Sequence, residues 1–348
     1  MLTAVCLWAS AVGTVWGGCY YAATAVDTGP TAQHFVDLNM QAALLFPITA
    51  SLSLLLLFYY FWFVQYILLI LLTVSAFVAV ADVAKWVLER LRAPSRLANV
   101  ATVCAATYTV WQWIVWSDWM AMDVIGISLA VSFIASVRFP SLRVATLCLS
   151  LLFIYDLYWV YFSSYAFSKN VMVEVAKKQA ASPVAQAANF MGVESNVART
   201  VELPIKLLMP NGTNGSFSML GLGDIVLPGV LCNLAYRADF ALLAVDEKQQ
   251  QDLLETTGAG DSCGEDNLAP APPLPPPLPS SGLFACSLVG YGLGLAAAFW
   301  VSIFFHHPQP ALIFIVPSVL LSLSGRAAFE GRLSELWQGS APKLGRIE

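Results

Sequence analysis

Charge is scarce in this chain. Asp, Glu, Lys and Arg make up 11% of its 348 residues, against about 25% in soluble domains. So few charged side chains cannot cover a water-facing surface. With 58% hydrophobic residues and a mean hydropathy of +0.69, the bulk of the chain must face lipid. Paired cysteines are missing as well. Cys6, Cys19, Cys104, Cys148, Cys232, Cys263 and Cys286 stand singly, with no CxxC, which argues against a zinc site and against a disulfide framework. They read as buried small apolar residues. A basic N-terminal stretch is also lacking, and the first apolar run outlasts the roughly 7–15 residues of a signal-peptide core. It reads as a retained span.

What the chain does have is apolar runs long enough to cross a ~30 Å hydrocarbon core. They fall at about 2–25, 41–63, 66–88, 98–117, 120–138, 144–167, 217–237, 283–305 and 310–329. The pattern predicts an all-α, polytopic membrane protein with about nine transmembrane helices.

Basic residues orient these runs. Arg90, Arg92 and Arg96 lie between runs three and four, and Arg138 and Arg143 between runs five and six. Arg332, Lys343 and Arg346 follow the last, with Arg326 near its end. The short loops on the other side (2–3, 4–5 and 8–9) have no Lys or Arg. The bias of Lys and Arg in short loops marks the cytosolic face, so the N-terminus is expected outside and the C-terminus in the cytosol. Segment 168–216 is a long outer loop, and long loops translocate largely regardless of charge. Segment 238–282 is acidic and then carries APAPPLPPPLPSS at 269–281, the composition of an extended spacer.

Two carboxylates fall inside apolar runs. Asp156, in LLFIYDLYWVYF, is roughly 16–18 Å from either end of the sixth run at helical rise. Asp224, in FSMLGLGDIVLPG, is roughly 10 Å into the seventh. Adjacent spans run antiparallel, so the two can meet at similar depth. No Lys or Arg lies in the cores of these runs. Asp82 beside Lys85, and Asp118 and Asp123 near the outer face, have simpler readings as helix–helix hydrogen bonds or ion partners. Two close carboxylates cannot both ionise cheaply, so the pair holds one proton between them. The ionised member can take a proton from water while the protonated one polarises a carbonyl. Such a pair needs no metal, cofactor or nucleophilic side chain. Gly221 and Gly223 let backbones approach closely and weaken the helix beside Asp224, leaving room for an extended substrate. The Gly290–Gly294 pair reads as ordinary small-residue packing.

Tyr155-Asp156, Gly221-Leu222-Gly223-Asp224 and Pro310-Ala311-Leu312 within QPALIFIVP resemble the YD, GxGD and PAL motifs of intramembrane aspartyl proteases, the signal peptide peptidase and presenilin group. NVMVEVAKK at 170–178 and GAGDSCG at 258–264 extend the likeness, chiefly from Asp37 to Leu336. The resemblance implies a presenilin/signal-peptide-peptidase-like fold, with Asp156 and Asp224 as the catalytic dyad. Tyr155, Gly221, Gly223, Pro310, Ala311 and Leu312 would shape the site and dock substrate. It also implies hydrolysis within membrane spans of type II proteins, with glycosyltransferase-type substrates in the Golgi. The signal-peptide-peptidase branch is N-out, as the arginines also indicate. The expected partners are such substrates and the lipid bilayer, not nucleic acid, with self-association left open. The chain would then divide into a five-span scaffold (1–138), catalytic spans six and seven (139–238) and a cytosolic linker (239–282). The remaining part, 283–348, would hold spans eight and nine and the cytosolic tail. KLGRIE at the end is no KDEL-type retention signal.

A proton-coupled transporter also places aspartates in membranes, but it often shows internal repeats, and the first half has no second GLGD-like element. A silent scaffold that binds membrane proteins is the other alternative. Asn211-Gly-Thr and Asn214-Gly-Ser are glycosylation sequons on the expected outer side, and NGTNG also reads as a turn.

Overall fold

The computed structural model describes residues 2–24, 36–92, 94–162, 180–181, 200–211, 217–256, 282–305 and 310–339, with side chains set aside over 242–256. Asn214, Cys263, the proline tract, Gln309, Lys343 and Arg346 lie outside the described residues, as do the 170–178 and 258–264 motifs. Helices dominate the rest. In chain order they are α1 (Leu2–Thr24), α2 (Met40–Arg90), α3 (Ser95–Trp116), α4 (Trp119–Ser136) and α5 (Leu142–Leu157). After α5 come a π-turn at Tyr158–Phe162, then α6 (Gly223–Thr256), α7 (Leu283–Phe305), α8 (Leu312–Phe329) and the short α9 (Leu333–Gln338). Among the described residues, five helical stretches are long and apolar enough to cross a membrane: Met40–Arg90, Trp119–Ser136, Leu142–Phe162, Leu283–Phe305 and Leu312–Phe329. The protein is a multi-pass membrane protein.

Several local features follow directly from residue chemistry. Ser141 accepts the Val144 N–H and starts α5, and Asp118 accepts the Ala121 N–H and starts α4. Hydroxyls inside the apolar helices bond the carbonyl four residues back, as Thr14 does to Ser10, Thr73 to Leu69 and Ser128 to Val124. These hydroxyls are thereby not left bare to lipid. The outward face is apolar, with Leu52, Trp62, Ile70, Trp300 and Phe304 all exposed.

The ends of the bundle are set by contacts. At one end Thr3 donates to Asn211 at 3.2 Å, Trp113 Nε1 to the Glu202 carbonyl at 2.7 Å, and Ser117 to the Thr200 carbonyl at 3.0 Å. At the other, β1 (Val36–Asp37) pairs in parallel with β2 (Val137–Arg138). There too Trp86 Nε1 reaches Thr24 at 2.9 Å, Arg90 bonds Tyr20, and Arg332 lies against the Ala238 carbonyl.

Runs 41–63 and 66–88, expected as separate spans, form one helical stretch of 51 residues. A straight helix of that length would reach about 76 Å. Yet both its ends lie at the arginine end, through Leu38 to Arg138 and Trp86 to Thr24. The chain therefore folds back around Tyr60, whose φ −115, ψ 26 is the non-helical pair within it.

Run 217–237 also needs correction. It starts not as helix but as β6 (Phe217–Gly221), antiparallel to β5 (Lys206–Pro210). The pairing satisfies the backbone that a helix would otherwise have to; the expected NGTNG turn lies mostly outside the described residues. A further small pair joins β3 (Ala180–Ala181) to β4 (Thr200–Val201).

The core gathers α1, α4, α5, α6, α7 and α8. Side-chain bonds cross it, among them Trp8 Nε1 to the Gly292 carbonyl at 2.7 Å, Asn233 to the Ile134 carbonyl at 2.8 Å and Ser318 to the Gly290 carbonyl at 2.6 Å. The glycines of α7 act as expected. A Cβ on Gly294 would come 2.8 Å from Ile315 Cα, and one on Gly290 would strike Ser322, so α7 and α8 are in backbone contact.

Candidate active site

Asp156 lies on the face of α5 that carries buried Leu149 and Leu152, and is itself only 5% exposed. The helix widens into the π-turn two residues later, a distortion that often accompanies functional positions. Tyr155 is half-buried with its ring 6.3 Å from that of Trp159, and Trp159 Nε1 reaches Ser51 of α2 at 3.2 Å.

Asp224 is half-buried in the first turn of α6. It enters the helix from a strand, not seven residues inside a helix. Leu222 holds the junction, since its N–H bonds the Ile205 carbonyl at 3.0 Å and its own carbonyl accepts from Ile225 and Val226. The unpaired N–H groups of a helix N-terminus favour a carboxylate there. Pro228, four residues on, has no N–H for the Asp224 carbonyl, so this first turn depends on the hairpin.

The structure brings the two aspartates together. Helices α5 and α6 pack against each other, close enough for the Asp156 charge to act on Asp224. Leu152, one turn before Asp156, shares a buried cluster with Ile225, next to Asp224, and with Leu312.

The two glycines of the GxGD stretch have different surroundings. A Cβ on Gly221 would stand 3.4 Å from the Asp224 carboxylate, whereas one on Gly223 would meet nothing within 4 Å. Close backbone approach, expected for both, is therefore not what Gly223 provides. Its open side leaves space beside Asp224.

Pro310 and Leu312 are buried and Ala311 half-buried. The Ala311 carbonyl accepts from both Phe314 and Ile315 at 3.1 Å, a tightened first turn for α8. That helix packs on α5, α6 and α7, so it touches both aspartate-bearing helices.

Neither Asp118 nor Asp123 makes the helix–helix bond or ion pair expected of it. Asp118 caps its own helix. Asp123 accepts the Leu208 N–H of β5 at 2.7 Å, anchoring to α4 the hairpin that delivers Asp224. Lys85 is salt-bridged to Glu89 at 3.9 Å, and its charge also acts on Asp82. Sequence reasoning also passed over Tyr291 of α7. It is fully buried, its hydroxyl has no hydrogen-bond partner among the described residues, and it feels the Asp224 charge. A tyrosine in the small-residue stretch GYGLG was the available signal.

Two interacting carboxylates on packed helices of a membrane-spanning bundle are the arrangement of an aspartic protease working within the bilayer. The family model for signal peptide peptidase matches residues 30–343. Signal peptide peptidase-like 1 of Oryza sativa subsp. japonica is 31% identical over 339 residues, covering 88% of this chain and 84% of its own. The protein of that name from Arabidopsis thaliana is also 31% identical, with 88% and 83% covered. Signal peptide peptidase-like 3 of Oryza sativa subsp. japonica is 28% identical, with 95% and 60% covered. The chain belongs to the signal peptide peptidase family, and it is an intramembrane aspartic endopeptidase.

Proposed function

We propose that Asp156 and Asp224 are the catalytic dyad, and that the enzyme cuts transmembrane segments of type II proteins and releases their lumenal domains. The observation that carries this reading is the packing of α5 on α6, which sets the Asp156 charge within reach of Asp224, in runs whose cores hold no Lys or Arg. The pair shares one proton. The ionised carboxylate takes a proton from water as its oxygen attacks the scissile carbonyl carbon, and the protonated one donates to the carbonyl oxygen. Collapse of the tetrahedral intermediate breaks the C–N bond, and the amine leaves with a proton returned from the dyad.

The scissile carbonyl must first be freed from its helix. Strand β6 pairs with β5 along one edge in a two-stranded sheet, and its residues Phe217, Met219 and Gly221 are exposed. An unwound substrate can lie extended beside it and next to the open side of Gly223. Tyr155 and Pro310-Ala311-Leu312 shape the surrounding wall.

Arg90, Arg138 and Arg332 lie at the end opposite Thr3. The positive-inside rule makes that end cytosolic, which puts β6 on the lumenal side and the N-terminus in the lumen. A protease binds its peptide in one chain direction. In this reading that direction is N-terminus in the cytosol, with glycosyltransferase-type proteins of the Golgi as the substrate class.

The test is purified enzyme reconstituted with a transmembrane peptide, together with two cell reporters threading one segment in opposite directions. Asp156→Asn and Asp224→Asn should each abolish cleavage while insertion persists, and the double variant should be no worse, since groups that act as a unit are non-additive. Wild-type turnover in either single variant sinks the dyad. Equal Asp224-dependent release of both reporters sinks the type II assignment alone.

A further inference from the structure

At the Thr3 end, next to the hairpin, lies a cavity of about 570 Å³. One wall is the α3–α4 turn with Trp116, Asp118 and Trp119; another is the hairpin with Lys206, Phe217 and Met219. Its charges do not balance. Lys206 pairs with Glu202, also in the wall, at 3.1 Å. The Asp118 carboxylate spends one oxygen on the Ala121 N–H at 3.2 Å, and a carboxylate has further acceptor positions to give. Two indoles and a phenyl ring line the same cavity. A carboxylate among aromatic rings is the chemistry that recognises an organic cation, because ring faces and carboxylate both attract it.

The strand indicates where such a cation comes from. Side chains alternate along β6, so Phe217, Met219 and Gly221 share its exposed face. The first two line the cavity, and the third abuts the Asp224 carboxylate. At strand rise, Met219 and Phe217 lie about 7 and 14 Å from Gly221. A peptide extended along this face, with its scissile bond at Asp224, presents a side chain to the cavity about two to four residues away.

We propose that this cavity binds a Lys or Arg side chain of the substrate, about two to four residues from the scissile bond toward the Thr3 end, with Asp118 as the specificity-determining residue. The inference rests on Asp224 being catalytic and on substrate lying along β6. It adds a sequence preference in the part of the substrate that leaves the membrane on that side.

The experiment uses the full chain, reconstituted, with two transmembrane peptides identical except for Arg or Gln at the third residue from the cut. In the unmodified protein the Arg peptide should have a kcat/KM about 5-fold higher, the scale of an exposed cation–aromatic contact plus a charge pair. Asp118→Asn removes the charge but keeps a good helix cap, since Asn and Asp rank equally at N-caps. It should bring the ratio of the two peptides to about 1. Asp118→Arg should make a Glu peptide the better substrate. Trp116 is 54% exposed, so Trp116→Leu can be made without unfolding the bundle, and it should lower the ratio as well. A ratio of 1 in the unmodified protein, or one that survives Asp118→Asn, overturns the proposal. So does an equal loss on both peptides, which would show a capping role alone. Cleavage that persists in Asp224→Asn overturns the dyad instead, so the two failures are distinct.

Discussion

Gly294→Ala tests whether α7 and α8 are held at backbone contact and whether that contact sets the active site. The new Cβ would lie 2.8 Å from Ile315 Cα, 2.9 Å from the Phe314 carbonyl oxygen and 3.1 Å from Ser318 Cβ. Carbon atoms rest at about 3.5–4.0 Å, so the helices must part by about 0.7 Å or more. Two of the three obstacles are backbone, which no rotamer change can move aside. Overpacking of this kind costs about 1–3 kcal/mol.

The displacement falls one turn from Leu312, which packs in the same cluster as Leu152 and Ile225. A misplacement of about 1 Å at a catalytic constellation can cost about 100-fold. The expected result is a folded, inserted protein with a lower melting temperature and a turnover of transmembrane peptide reduced by about 10- to 100-fold. Gly325→Ala in α8, where a Cβ meets nothing within 4 Å, is the control and should behave as the parent. A Gly294→Ala protein with parental melting temperature and turnover would refute the reasoning.

Pro310→Leu should restore a regular helical entry to α8 and lower turnover with little change in thermal stability; full activity would leave the buried proline without a role at the site. Tyr291→Phe removes a buried hydroxyl that has no partner among the described residues. The melting temperature should hold or rise by up to about 1–3 kcal/mol equivalent, and a fall in kcat at unchanged KM would tie the hydroxyl to Asp224 rather than to packing. Asp239, beyond the apolar run of α6, accepts the N–H groups of Leu283 at 3.1 Å and Phe284 at 2.8 Å and so caps α7. Asp239→Ala should cost about 0.5–2 kcal/mol and Asp239→Asn less, read from thermal unfolding. Burial raises the Asp239 carboxyl above its ordinary value of 3.8, against the two N–H bonds and Arg332. A raised native pKa means the folded protein binds the proton more tightly. Its stabilising contribution is therefore complete below pH 3.8 and is lost as pH rises through the raised value. That part of the pH slope should vanish in Asp239→Asn.

Much of the architecture was legible in composition. Eleven per cent charge admits no water-facing surface, and apolar runs of bilayer length mark the helices, because lipid requires every backbone group to be bonded within its own segment. Ser141 and Asp118 cap the helices that follow them, although Asp118 reads in the sequence as a helix–helix or ion partner. Asp156 and Asp224 stand out because a carboxylate in an apolar run without a basic neighbour demands a reason, and YD, GLGD and PAL supplied one.

Other features depend on partners distant along the chain. Phe217–Gly221 is apolar enough to read as the start of a span, and only pairing with Lys206–Pro210 makes it a strand. Asp123 looks like any acid near an interface until Leu208, 85 positions away, brings it an N–H. The reversal is expected in the 64–65 gap between two runs and falls instead at Tyr60, with no glycine or proline to mark the place. Hydrophobicity along a chain records which residues leave water, and so the sequence by itself determined a helical membrane bundle and its pair of unusual carboxylates. It does not record which backbone donor meets which acceptor across the fold. Tertiary structure alone decided that Asp224 enters its helix from a strand, that a hairpin anchored on α4 delivers it, and that Asp118 lines one cavity with the far end of that strand.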